Sequence, residues 1–254
     1  MTLLSLIAIY LLLVLKPLFF QQISAHRMTV DLSYKMDAKI MKWITARPYE
    51  LRILSREKKT GNQTIRIQSD EIFMATHTGT HLDAPIHFGA IVDVVDNASH
   101  QLDYLVTVRD LNEWEKINGK ILEDSVIIIR TGWSKKWPNK LEYFGTETND
   151  PKQAHFPGLH PKAAEWLVKQ RQIVGVGIDS PSIDCGQCDG KGSHIILNSN
   201  NIYILENIEK SIFILKPTGS TITILPLKLS NASGCPVRPI VEYNQNDDHH
   251  DESF

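Results

Sequence analysis

The sequence predicts one mixed α/β domain, rich in strands, and three observations carry that expectation. Ser125-Val-Ile-Ile-Ile-Arg-Thr131 is a β-branched run short enough for a buried strand. Val174-Gly-Val-Gly-Ile-Asp179 is a second, and a turn and a helical pattern lie between the two, which is the order of a βαβ unit. The chain of 254 residues is 42% apolar and 22% charged, enough to bury one sizeable core.

The elements follow in order. Leu3 to Leu15 is almost wholly apolar, Lys16-Pro17 interrupts it, and Ser24-Ala25 offers small residues for cleavage. That length is short for a membrane span and suits the core of a signal peptide over residues 1–25, although no basic residue precedes it. An uncleaved, membrane-anchoring segment is the alternative. A mature domain then runs from His26 to 243. Met28–Ser33 reads as a first strand. Residues 34–60 read as irregular, with a polar turn at Lys58–Asn62, and Thr64–Gln68 alternates as a half-buried strand does. Gly132-Trp133 and Trp137-Pro138 mark an aromatic loop after the Ser125–Thr131 strand, and Phe156-Pro-Gly-Leu159 marks a turn. His160-Pro161 opens a helix, since proline is tolerated in a first turn, and its apolar side runs through Ala163, Ala164, Trp166, Leu167 and Val168 to an end near Arg171. Further strands are expected at Ile202–Leu205, Ile212–Leu215 and Thr221–Leu229. Residues 244–254, acidic with His249-His250, read as a disordered tail.

Composition excludes some functions. A net charge of −2 gives no broad basic surface, so nucleic acid is not an expected partner. The sequence has no zinc-finger, P-loop or dinucleotide fingerprint and no repeat of solenoid period. Asn62, Asn97 and Asn231 begin Asn-X-Ser/Thr triplets, glycosylation acceptors in form, which fit an exported, extracellular protein. Of the three cysteines, Cys185, Cys188 and Cys235, one pair could bridge and leave one odd; Cys185-Gly-Gln-Cys188 has the spacing of a redox or zinc motif but reads as a local disulfide or free thiols.

The chemistry concentrates in His77-Thr-Gly-Thr-His81-Leu-Asp83-Ala-Pro85-Ile-His87. His77, His81, Asp83 and His87 share one parity, and Pro85 argues against a helix, so an extended segment puts all four on one face. Two imidazoles and a carboxylate suit a divalent ion, with a further histidine for proton transfer. One strand supplies too few ligands to close a site. His194, after the glycine-rich Gly186–Gly192 stretch, and Glu206, at the exit of an apolar run, are candidates for the rest. Spacing alone does not choose between ligands and an ordinary surface histidine and strand-end acid.

The segment His77–Phe88 resembles the signature of the cyclase family of metal-dependent hydrolases, which includes bacterial kynurenine formamidase and isatin hydrolase. Arg130-Thr-Gly-Trp133, Phe156–Leu159, Val176–Asp184, Ile204-Leu-Glu206-Asn207, Leu225–Lys228 and Gly234–Arg238 are similar to further family blocks, so the resemblance spans residues 29–242. It implies a swivelling β/α/β fold, a homodimer, and one or two zinc or manganese ions per subunit. It implies that His77, His81 and Asp83 form a first ligand set and that His194 and Glu206 form a second. His87 takes the proton-transfer role, and Trp43 corresponds to an aromatic residue that contacts substrate. Ile195 stands where arginine is frequent, and the N-terminal segment departs from intracellular relatives in tryptophan catabolism, so the substrate is less constrained than the chemistry.

The expectation is therefore a secreted metal-dependent amidohydrolase acting on a small molecule, with activated water attacking an amide, formamide or lactam carbonyl. An exported binding protein of the same fold without turnover, and a secreted structural or adhesion module, are the alternatives.

Overall fold

The computed structural model of the chain describes residues 27–60, 63–83, 89–188, 192–227, 229 and 232–244. The expected signal segment, the sequons at Asn62 and Asn231, His87 and the C-terminal tail beyond Asn244 lie outside the described residues. Of the side chains, those of residues 27, 54–60, 63–69, 83 and 89 are also outside the description.

Thirteen strands are described: Arg27–Asp31 (β1), Glu50–Thr60 (β2), Gln63–Phe73 (β3), His81–Asp83 (β4), Gly89–Asp93 (β5), Leu105–Val106 (β6), Val126–Arg130 (β7), Gly158–Leu159 (β8), Gly175–Ile178 (β9), Tyr203–Glu206 (β10), Thr221–Thr223 (β11), Cys235–Pro236 (β12) and Ile240–Asn244 (β13). The helices are Val95–His100 (α1), Val108–Asn118 (α2), Lys140–Phe144 (α3), Pro161–Trp166 (α4) and Gly192–Ser199 (α5).

Thr29–Tyr243 forms one unit built in three layers. Its central sheet has the order β12-β4-β10-β9-β7-β5, in which β5, β7, β9 and β10 run parallel and β4 runs antiparallel to both its neighbours, β10 and β12. Alternation along β7 explains the layering. Ile127 and Ile129 pack with Leu111, Trp114, Ala163, Leu167 and Leu197 of the helices. Val126 and Ile128 pack on the other face with Val30, Ile222 and Val241 of the small sheet β1-β13-β11. Val126 to Ile129 expose 2% or less, and each such side chain stabilises by roughly 1.5–3 kcal/mol when fully buried.

The βαβ unit is present as expected: β7 and β9 are parallel neighbours, and α4 lies between them in sequence. His160 caps α4 by accepting from the Lys162 N–H at 3.0 Å, with Pro161 in the first turn, and a π-helical turn, Leu167–Arg171, carries the helix to its expected end. α2 was not foreseen. Its signal is a capping box, in which the Thr107 N–H and hydroxyl both donate to Asp110 (2.6 and 2.7 Å).

Four expectations are corrected. Residues 34–60 are not irregular throughout, because β2 pairs with β3 over eleven register positions, from Glu50–Phe73 to Thr60–Gln63. Ile212–Leu215 is not a strand; Lys210–Ile214 is a 3₁₀ turn, started by Glu209 accepting from the Ser211 N–H at 2.7 Å. Among the described residues of Thr221–Leu229, only Thr221–Thr223 forms a strand, opposite Ile240–Glu242. Asn244, expected in the tail, is the last residue of β13. Among the described residues no helix is long and apolar enough to cross a membrane.

Candidate active site

The site gathers at the carboxyl ends of β9 and β10, where ligands bind in open parallel sheets. The register makes His81 the direct cross-strand partner of Glu206, and Asp83 the partner of Ile204. Partners opposite each other in an antiparallel pair share a face. His81 and Glu206 accordingly meet, with His81 Nε2 3.4 Å from Glu206 Oε2. His194, on α5, brings its Nε2 to 3.2 Å from Glu206 Oε1.

His77 joins by a different route from the one its parity suggested. The segment is not one extended strand, because the chain bends at Gly79, whose φ is +63°, and regular pairing begins only at His81. Glycine is favoured there, since an L side chain is strained at that φ. The bend sets the His77 and His81 rings edge to face, with centroids 4.7 Å apart, and His77 Nε2 lies 3.0 Å from Ser233 Oγ. Asp83 sits two residues beyond His81 on β4. Its side chain and the whole of His87 are outside the description.

Both imidazoles near Glu206 have their other nitrogen committed. His81 Nδ1 faces the Gly79 carbonyl oxygen at 2.9 Å, which can only accept. His194 Nδ1 faces Asp184 Oδ2 at 2.6 Å. In each neutral ring the proton therefore belongs on Nδ1, and the Nε2 lone pair points at a carboxylate oxygen. Lone pairs facing lone pairs call for positive charge between them, either protons or a cation. Rings whose Nδ1–H is fixed by a carbonyl or carboxylate are the usual form of metal-binding histidine. With protons alone, burial lowers the His194 pKa but its hydrogen bonds to Asp184 and Glu206 outweigh that and hold it at about 9. Burial likewise raises the Glu206 carboxyl, and the two histidines overcome it to leave it well below the usual carboxylate range. This donor chemistry fits a divalent ion. Among the described residues no three or more His, Cys, Asp or Glu side chains form a closed ion cage.

The segment after β9 organises these groups. The Ile183 N–H donates to Glu206 Oε1 at 2.8 Å, and Asp184 Oδ1 accepts from the Ser193 N–H at 2.8 Å. Gly158 permits its close approach, since a Cβ there would lie 2.4 Å from Cys185 N. Cys185 and Cys188 are joined in a disulfide, one of the two alternatives their spacing allowed, and Cys235 is a buried thiol. At the end of β9, buried Asp179 reaches across to the end of β7 and accepts from the Thr131 N–H and hydroxyl (2.7 and 2.6 Å), from the Gly132 N–H and from the Ser134 hydroxyl.

A cavity of ≈ 320 Å³ opens onto these groups, and His77, His81, His194, Glu206 and Asn207 line it. Trp43, Ala46, Ala75, Phe144 and Pro181 give it apolar walls. Trp43 meets Phe144 and Phe156 edge-on, each at 6.4 Å between centroids. Trp133 and Trp137 are not in this wall: Trp133 is buried and donates to the Tyr143 carbonyl, and Trp137 stacks on Tyr34 at 3.8 Å. Asn97 lies on α1, its amide donating to the Tyr104 hydroxyl at 3.2 Å. Sequence reading gave no role to Asp184, Asn207, Phe144 or Ser233. Asp184 and Asn207 stood inside quoted blocks, but nothing in their spacing shows a contact made only in space.

Ionisable groups converging at the strand ends of a three-layer α/β domain are the frame of an enzyme active site, and its relatives are hydrolases. A family profile described as Putative cyclase matches residues 30–185, and the chain belongs to that family. An isatin hydrolase of Roseibium aggregatum is 27% identical over 196 residues, covering 66% of this chain and 72% of its own length. A kynurenine formamidase of Geobacillus thermodenitrificans is 28% identical over 221 residues, covering 82% and 94%. Among solved structures, isatin hydrolase A from Labrenzia aggregata bound to benzyl benzoate shares the fold with a TM-score of 0.77 at 23% identity, covering 91% of this chain and all of that one. A structure titled as a predicted metal-dependent hydrolase from Bacillus stearothermophilus gives 0.63 at 20% identity, covering 86% and 99%.

Proposed function

We propose that the protein is a secreted, metal-dependent amidohydrolase that cleaves the C–N bond of a small aromatic formamide or cyclic amide. The observation that carries this reading is the pair of oriented imidazoles, His81 and His194, aimed at one buried carboxylate in a cavity with aromatic walls. The relatives named for isatin hydrolysis and kynurenine formamide hydrolysis support the substrate class.

His77, His81 and Asp83, with His194 and Glu206, are the residues that would hold one or two zinc or manganese ions. Such an ion supplies Lewis acidity and lowers the pKa of water to about 7. The chain does the rest. Trp43 and Phe144 take the flat faces of an aromatic substrate, and ≈ 320 Å³ suits one small ring system. His87, assigned from its place in the signature, takes a proton from water and delivers it to the leaving nitrogen, a role for which imidazole is the usual side chain. Export rests on the apolar segment Leu3–Leu15 and the small residues before His26. A homodimer is proposed from the family resemblance.

The test is turnover by purified mature chain on N-formylkynurenine, formanilide and isatin, after metal removal and after return of zinc or manganese. Turnover that disappears with the metal and returns with it is expected. A fully metal-loaded chain inert toward the whole panel would refute the reading. Culture-medium fractionation and light scattering check secretion and the dimer.

A further inference from the structure

Asn207 follows Glu206 directly and has φ +55°, one of only four non-glycine residues with positive φ among the described residues. A residue held in that region is costly and persists where its surroundings fix it, often at a functional site. Here three bonds fix it. Its N–H donates to the Ser180 carbonyl at 3.0 Å, and its carbonyl accepts from the Thr80 hydroxyl at 2.7 Å. Its side-chain Oδ1 accepts from the hydroxyl of Tyr143, a residue with no exposed surface, at 2.9 Å.

These bonds use every polar atom of Asn207 except Nδ2. Among the described residues no acceptor takes the two Nδ2 hydrogens, and Asn207 lines the cavity beside Glu206 and His194. The Tyr143 hydroxyl has a single hydrogen. Its other acceptor, the Asp179 carbonyl, is farther away at 3.4 Å, so the shorter bond to Oδ1 sets the amide's orientation. A buried phenol thus fixes the amide, and Nδ2 is the polar atom of Asn207 left for a ligand of the cavity it lines.

We infer that Asn207, oriented by Tyr143, is the hydrogen-bond donor that receives the substrate's carbonyl oxygen and the negative charge it gains on attack. The inference rests on the amidohydrolase reading and deepens it. A neutral amide suits the role next to Glu206, because it donates without adding a second anion to the site. Preset donors aimed at developing charge require no rearrangement during the reaction. Asn207 is then a catalytic residue and Tyr143 a positioning residue acting through it.

Asn207→Gly keeps a backbone suited to φ +55° and removes the amide, whereas Asn207→Asp keeps the shape and replaces the donor with an acceptor. Tyr143→Phe removes only the orienting hydroxyl. In the metal-loaded full chain, with folding checked by circular dichroism and metal by elemental analysis, both Asn207 variants should lose about 100- to 1000-fold in kcat, with KM moving far less. Tyr143→Phe should lower kcat in the same sense at unchanged metal content. If Asn207→Gly keeps kcat within about fivefold of the parent, the inference is overturned; retained turnover in Asn207→Asp overturns it too, by showing that an acceptor faces the cavity. A parent chain without turnover refutes the amidohydrolase reading instead. The inference is then decided by the Asn207 side-chain amide resonance, which must shift when formanilide is added and overturns the inference if it does not.

Discussion

Replacing Asp184 with asparagine should change which nitrogens of His194 carry a proton. Asp184 exposes 7% of its surface; its Oδ2 lies 2.6 Å from His194 Nδ1, and its Oδ1 takes the Ser193 N–H at 2.8 Å. Asp184→Asn keeps an acceptor for only one of these two donors. If the new amide oxygen stays with Ser193, its NH₂ faces Nδ1, and two donors cannot share a hydrogen bond. The ring relieves the clash by giving up its Nδ1 proton and keeping the one on Nε2, which donates to Glu206 Oε1, 3.2 Å away. That bond keeps the metal-free ring satisfied, but the lone pair a cation needs is then protonated.

The magnitude follows from the bond that is lost. A hydrogen bond to a charged group contributes about 1.5–3 kcal/mol. Removing a partner that orients a metal-binding histidine typically costs about 10- to 100-fold in affinity, or about 1.4–2.8 kcal/mol. The two ranges coincide, so zinc affinity measured by chelator competition near pH 7.5 should fall by that factor while the melting temperature of the metal-free chain changes little. Long-range ¹H–¹⁵N correlation spectra of the histidine rings report the protonation of each nitrogen directly. They should show His194 protonated on both nitrogens in the metal-free parent near pH 7.5, as a pKa of about 9 requires, and on Nε2 alone in the variant. Unchanged affinity together with unchanged ring protonation would refute the argument.

Asp179→Ala leaves the buried donors of Thr131, Gly132 and Ser134 without their acceptor. It should cost about 3–5 kcal/mol and lower the melting temperature by roughly 6–20 °C, read by calorimetry. Cys188→Ala opens the short loop closed by Cys185 and should cost about 2 kcal/mol by the loop-entropy relation, seen as a lower urea midpoint at an unchanged m-value. Glu115 shows the pH dependence. Its hydrogen bond to Arg171, at 2.6 Å, holds its carboxyl below the ordinary 4.5. The pair's contribution is therefore complete above pH 4.5 and is lost as pH falls through the lowered value. Urea titrations from pH 7 down to pH 3 should show Glu115→Gln losing less stability on acidification than the parent; parallel curves would contradict it.

The residues that meet in the cavity were legible because they bear rare chemistry in a tight pattern. His77, His81, His194 and Glu206 were named from the chain, and the structure brings all four to one cavity. The strands around them were legible for a different reason: Val126–Ile129 and Tyr203–Leu205 are apolar on both faces, as central parallel strands must be. What could not be read was whatever depends on a partner distant in sequence. β2 is polar and charged through Ser55–Lys59 and becomes a strand only because β3 pairs with it. α5 reads as a β-branched stretch, Ile195-Ile196, and is helical because Leu197 packs into the helix-side core. The extended reading of His77–His87 failed at Gly79, a glycine whose left-handed φ turns the chain. α2 was the avoidable omission, since Thr107-x-x-Asp110 followed by Leu111 and Trp114 at helical spacing was present throughout.

One five-residue stretch explains why the site forms where it does. Ser180–Asp184 leaves β9, which lies between β7 and β10 in the sheet, and so emerges beside the end of β10. Its first residue takes the Asn207 N–H, Ile183 gives its N–H to Glu206, and Asp184 fixes His194 and the start of α5. Three residues of the candidate chemistry are therefore positioned by backbone and side-chain bonds from a single segment, anchored by the most buried strand pair of the fold. Apart from Pro181, the apolar walls come from elsewhere: Trp43, Ala46 and Ala75 precede β4, and Phe144 ends α3. Substitutions at these wall positions leave the hydrogen bonds of Ser180–Asp184 untouched. Under the proposed function, the fold thereby separates the groups that would act on a carbonyl from those that would select its bearer, and exchanging Trp43 or Phe144 should alter substrate preference while metal affinity stays the same.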